Sequence, residues 1–139
     1  MIVLDTNVIS EPLKPLADPA VVAWLDRQPK ELLYLCAPVL MEVLLGTALL
    51  PGGKRKRGMT IAVEALLTNY FADRFLSFER QAAVLYASLA SRSSSRGYSI
   101  SVADCQIAAI AAVHGFAVAT RDTAPFLAAG VPVINPWEG

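Results

Sequence analysis

The sequence predicts a three-layer α/β/α domain around a central parallel sheet, and three observations lead there. Short β-forming runs alternate with longer stretches of helical periodicity. The runs are apolar at successive positions, as in strands covered on both faces. The stretches between them are long enough to serve as crossover helices. At 139 residues the chain reads as one domain, 1–139, large enough to bury a core without staples. These observations leave the strand order open.

The strand candidates are residues 2–4, 32–36, 74–78, 116–119 and 131–134. Asp18-Pro19, an N-cap followed by proline at the first helical position, opens a helix through Val22, Trp24 and Leu25. A second helix begins at Pro38 and runs to Leu50, where Pro51-Gly52-Gly53 ends it. A third covers about residues 59–72; Lys54-Arg55-Lys56-Arg57 before it reads as a solvated loop, slightly ahead of a phosphate grip beside the cleft that would make binding salt-dependent. A fourth runs from Glu79 into the Ser/Arg stretch 91–96, with Ala82, Leu85, Tyr86 and Leu89 at helical spacing. A fifth spans residues 102–113 and stops at His114-Gly115, where a cation complements the helix dipole. A short sixth follows Asp122, over residues 123–129. Trp24, Phe71 and Tyr86 read as core or interface.

Composition narrows the class of protein. Lys+Arg and Asp+Glu are 12 each, so net charge favours neither a nucleic-acid nor a membrane partner. Hydrophobic content is 55% and charged content 17%, against roughly 25% charged in an average soluble domain. So apolar a surface implies self-association or an apolar partner. Cys36 and Cys105 lack metal-type spacing and read as reduced core residues. No apolar run reaches the roughly 18 residues of a membrane span, and no basic segment leads a short apolar one. The expectation is a cytoplasmic protein with no membrane partner.

Four carboxylates carry the chemistry. Asp5 follows Ile2-Val3-Leu4, at the carboxyl end of a strand, where open α/β sheets bind their ligands. It would also cap the next helix, although Thr6 or Asn7 would cap equally well without a charge. Glu42 lies among Val39, Leu40, Met41, Val43, Leu44 and Leu45, so it needs a distant arginine, a proton or a cation. Asp104 fits a capping box with Ser101, and taken singly the cap accounts for it. Asp122 lies just past a second strand end and is itself placed to cap a short helix. Together the four converge on one edge of such a sheet. Crowded carboxylates repel, and a cation relieves the repulsion. Oxygen donors without cysteine or histidine suit a hard ion, Mg²⁺ or Mn²⁺, and phosphodiester hydrolysis suits such a site.

The segment 4–11, the helix carrying Glu42, the segment 101–111, Ala119-Thr120-Arg121-Asp122 and the ending Asn135-Pro136-Trp137 resemble the PIN-domain toxins of bacterial toxin–antitoxin pairs. The likeness runs along the whole chain and is closest to the FitB-like branch of the VapC ribonucleases. It implies a PIN-like fold and a metal-dependent endoribonuclease acting on RNA. It also implies a small antitoxin partner whose tail enters the acidic site. By matched position the acidic quartet falls on Asp5, Glu42, Asp104 and Asp122. Asp5, Asp104 and Asp122 are the preferred metal ligands, and Glu42 orients or deprotonates the attacking water. Thr6, Asn7 and Thr120 support the cluster or face the substrate. Val39 stands where the family often has threonine, and Pro125 where it often has a further aspartate before Phe126. Two rival readings start from Asp5. An aspartyl phosphotransferase needs a second acid two residues on, where Asn7 stands. A receiver-like or degenerate binding module needs an acidic pair and a late lysine that Leu4 and Thr120-Arg121 do not supply.

Overall fold

The computed structural model describes residues 1–138, whose centre is an all-parallel sheet of five strands. The strands are β1 (Ile2–Leu4), β2 (Leu33–Cys36), β3 (Phe75–Leu76), β4 (Ala117–Ala119) and β5 (Val133–Ile134), in the order β3-β2-β1-β4-β5. Ile2, Val3 and Leu4 are all buried. Successive strand side chains point to opposite faces, so burial of all three means both faces are covered. The expected three layers follow from that. In register, Ile2 faces Leu33 on one side and Ala117 on the other, and Leu4 faces Ala119.

Among the described residues seven α-helices connect the strands: α1 (Thr6–Ser10), α2 (Pro19–Arg27), α3 (Ala37–Ala48), α4 (Lys54–Ala65), α5 (Arg80–Ser95), α6 (Val102–His114) and α7 (Thr123–Ala128). The Asp18 carboxylate accepts the Ala20 N–H at 2.9 Å, the cap that the Asp-Pro pair announces. Gly115 ends α6 in the left-handed region, φ 69°, a conformation that residues with a side chain rarely adopt. The core is built around α6. Cys105 and Ile107 to Ala111 have no exposed surface, and this helix packs along α5 and under β1 and β4.

Several segments differ from the sequence reading, β5 among them with two of its expected four residues. Lys54 to Arg57 form the first turn of α4 rather than a loop. The helix starts without a side-chain cap, from Gly53 at φ 149°. At its far end α4 passes into a wider π turn over Leu66–Tyr70. β3 keeps two residues of the expected five, because only Leu35 and Cys36 of β2 lie opposite it. Cys36 and Cys105 are buried free thiols. Among the described residues no helix is long and apolar enough to cross a membrane.

Candidate acidic site at the strand ends

The strand order creates the place for a site. From β1 the chain moves outward to β2 and β3, then returns across the sheet to β4 and moves outward the other way to β5. The turning point lies between β1 and β4, and the crevice beyond their carboxyl ends is where such sheets bind ligands. Asp5 is the first residue past β1 and Thr120 the first past β4, adjacent because Leu4 and Ala119 are paired. The Asp5 N–H extends the ladder to the Ala119 carbonyl at 2.9 Å.

Thr120 is fully buried; its N–H joins the sheet by donating to the Ile134 carbonyl, and its hydroxyl serves this crevice. Its hydroxyl donates to Asp5 Oδ2 at 2.7 Å and accepts the Asp122 N–H at 3.0 Å. It also lies 3.5 Å from Asn7 Nδ2, while Asn7 Oδ1 accepts the Arg121 N–H at 3.3 Å. One threonine therefore sets the Asp5 carboxylate and the turn that carries Asp122. Asp5 Oδ1 accepts the Thr6 N–H at 2.8 Å, so Asp5 both caps α1 and faces the crevice. The Thr6 hydroxyl is buried and among the described residues has no hydrogen-bond partner.

Electrostatics tie the quartet together. Burial pushes the Asp5 carboxyl above its ordinary value. The bonds from Thr120 and Thr6 oppose that shift, and the charges of Asp104 and Glu42 add to it. Asp104 is raised as well, first by burial and then by Asp122, with the Ser101 hydroxyl opposing. Ser101 caps α6 as expected, its Oγ accepting the Asp104 N–H at 3.1 Å. Asp122 holds the cap position of α7, yet its side chain makes no capping bond and stands exposed. Capping does not account for that carboxylate.

Glu42 reaches the site for a different reason from the one its sequence neighbours suggest. The helix around it is not enclosed: Met41, Leu44, Leu45 and Leu49 are exposed, and Glu42 is half-buried. Among the described residues it has no ion pair, so no distant arginine balances it. Two further residues belong to the neighbourhood. The Cys36 thiol, pushed up to about 12 mainly by burial, also feels Asp5 and Glu42 and is inert as a nucleophile. Arg121 lies between Thr120 and Asp122, with its guanidinium 5.2 Å from the centre of the Trp137 ring. Its position beside Asp122 was the available signal.

The donor set suits a hard cation: carboxylate oxygens with raised affinity for positive charge, and an unpartnered hydroxyl next to Asp5. Among the described residues no three carboxylates close on one point, so direct ligation by all of Asp5, Asp104 and Asp122 is not preformed. A small divalent ion that keeps several waters needs only one or two carboxylates in direct contact.

The fold has known counterparts. The PIN domain family model matches residues 2–131. The chain belongs to the PIN-domain family. Its relatives include the VapC ribonuclease Y4jK of Sinorhizobium fredii, 49% identical over 99% of both chains. The toxin FitB of Neisseria gonorrhoeae is 47% identical, again over 99% of each. In three dimensions this PIN domain superposes on the FitAcB crystal structure from Neisseria gonorrhoeae with a TM-score of 0.96, 47% identity and full coverage of both chains. The PIN-like α/β/α fold and the likeness to the FitB branch of the VapC group, both expected from sequence, are borne out.

Proposed function

We propose that this PIN domain is the toxin of a type II toxin–antitoxin pair, a divalent-metal-dependent endoribonuclease. The observation that carries the reading is the coupling of four carboxylates around the Asp5–Thr120 bond at the switch point of the sheet. Relatives at 47–49% identity that are a VapC ribonuclease and a toxin support the same substrate class and role.

Asp5, Asp104 and Asp122 would hold Mg²⁺ or Mn²⁺, directly or through water. The ion, when bound, lowers the pKa of a water and neutralises charge on the phosphoryl oxygens. The protein's residues do the rest. Thr120 holds Asp5 in one orientation and keeps it ionisable by donating to it. Glu42, uncompensated by any arginine, takes the proton of the attacking water. Asn7 is engaged through both its amide atoms with Thr120 and Arg121, which makes it a brace. That leaves no second acid for an aspartyl phosphotransferase.

Two partners follow from this reading. A structure of FitAB bound to a DNA fragment, whose matching chain is 47% identical to this one, supports a cognate antitoxin, here one whose basic side chain enters the acidic crevice. The exposed apolar face of α3 supports a homodimer. A soluble chain acting on cellular RNA belongs in the cytoplasm.

The test is cleavage by purified protein of total RNA with Mg²⁺, with Mn²⁺ and with chelator, followed by sequencing of the fragment ends. The reading expects metal-dependent cuts at a restricted set of sites. It also expects Asp5→Asn to abolish them while leaving the fold intact. Cleavage that persists at the wild-type rate in chelator or in Asp5→Asn overturns it.

A further inference from the structure

An acidic crevice that works on a polyanion needs a cation close by to hold the strand against the repulsion. Of the twelve Lys and Arg residues, one lies within two positions of any of the four carboxylates, and it is Arg121. It is exposed, and among the described residues it forms no ion pair, although Asp122 follows it directly.

Its placement is set from both ends. The backbone of Arg121 is anchored by its own N–H on Asn7 Oδ1 and by the neighbouring N–H of Asp122 on Thr120. The guanidinium rests over the Trp137 indole. Trp137 packs partly against the core, and its N–H donates to Asn135 Oδ1 at 3.0 Å, just after β5. A guanidinium laid on a fixed aromatic plane keeps its donor edge free and loses little freedom when it binds phosphate. The other basic cluster differs: Lys56 is occupied by the Ala48 carbonyl, and Lys54, Arg55 and Arg57 of α4 take no part in the hydrogen bonds around Asp5 and Thr120.

We infer that Arg121, seated on Trp137, grips a phosphate of single-stranded RNA beside the acidic cluster and so sets where the strand lies across it. This rests on RNA being the substrate. Arg121 is a positioning residue: it holds the strand and takes no part in bond making.

The chain has two tryptophans, and Trp24 is buried, so Trp137 is the one whose emission a ligand at Arg121 would change. The first measurement adds a short mixed-sequence single-stranded RNA to the full chain in EDTA, with tryptophan emission and affinity followed against salt. We expect quenching in the wild type. Arg121→Ala should lose it, weaken binding about tenfold and lower the salt slope by about one. Arg121→Lys should keep the slope and recover part of the affinity, and Arg121→Gln should behave as alanine with an unchanged melt. The second measurement is cleavage with Mg²⁺, where Arg121→Ala should raise KM with little change in kcat. RNA binding with unchanged affinity and slope in Arg121→Ala and Arg121→Gln overturns the inference, and a lowered melt in those variants would then mark a tether for the chain end. If the wild type cuts RNA and the variants keep its KM, the subsite fails and the nuclease stands. If nothing is cut but the Arg121-dependent quenching remains, the nuclease fails and the subsite stands.

Discussion

Thr120 is the smallest unit on which the site depends. A valine there keeps the shape and removes a donor to Asp5 and an acceptor for Asp122. We expect Thr120→Val to cost about 1–3 kcal/mol in chemical denaturation, and to lower cleavage further than its stability loss explains. Asp5 and Asp104 titrate above their ordinary value of 3.8 in the folded chain, so the folded state binds more protons than the unfolded one just above that pH. Their contribution is thus favourable in acid and is lost as pH rises from 3.8 through the raised values. Metal-free Asp5→Asn should therefore lose less stability than the wild type between acid and neutral pH, and saturating Mg²⁺ should raise the wild-type melt while leaving the variant's nearly still. A wild-type melt indifferent to both metals at constant ionic strength would contradict this. Asp5 was legible in the sequence because a strand end is a local feature. Glu42 was legible as a residue but not in its surroundings, since helical periodicity cannot say which apolar face stays uncovered. The Thr120 network joins residues more than a hundred positions apart and has no local signature.

Among the elements, α4 departs most from what its residues prefer. Four cations occupy its first turn, at the end where the helix dipole is already positive. Replacing Lys54 and Arg55 by glutamate should stabilise the chain by about 0.3–1 kcal/mol per charge at low ionic strength, and the gain should shrink with added salt. A change that ignores salt would mean the cations act through something other than the dipole. Lys56 differs because it closes the end of α3 on the Ala48 carbonyl, so its removal should destabilise. A run of like charges after two glycines reads as a loop, and only the packing of α4 on α3 makes it helical. The wider turn at Leu66–Tyr70 was equally hidden. Arg74 secures it from outside, donating to the carbonyls of Tyr70, Leu33 and Lys30 and lying over the rings of Tyr70 and Phe71. Arg74→Met keeps much of the side-chain bulk and should still cost about 3 kcal/mol, read as a shift in denaturant midpoint.

For the whole molecule, the parallel sheet, its two covered faces and most helix starts could be read from the chain, because caps, prolines and apolar runs are local. The strand order could not, since parallel pairing is decided by crossovers. The apolar surplus in the composition appears on α3 as Met41, Leu44, Leu45, Ala48 and Leu49, an exposed stripe at helical spacing. Light scattering at micromolar concentration should find two chains, and Leu45→Glu should reduce the mass to one. A monomeric wild type would contradict the dimer.

The pairing of β1 with β4 also orders events in time. Asp5 leaves the ribosome well before its partner Thr120, which follows 115 positions later. At about 5–20 residues per second, that is a delay of roughly 6–23 s. Until then the first strand has no neighbour on its inner side, and Asp122 has not been made. On the nuclease reading proposed above, a nascent chain carries no assembled acidic site until Thr120 and Asp122 have followed Asp5 out of the ribosome.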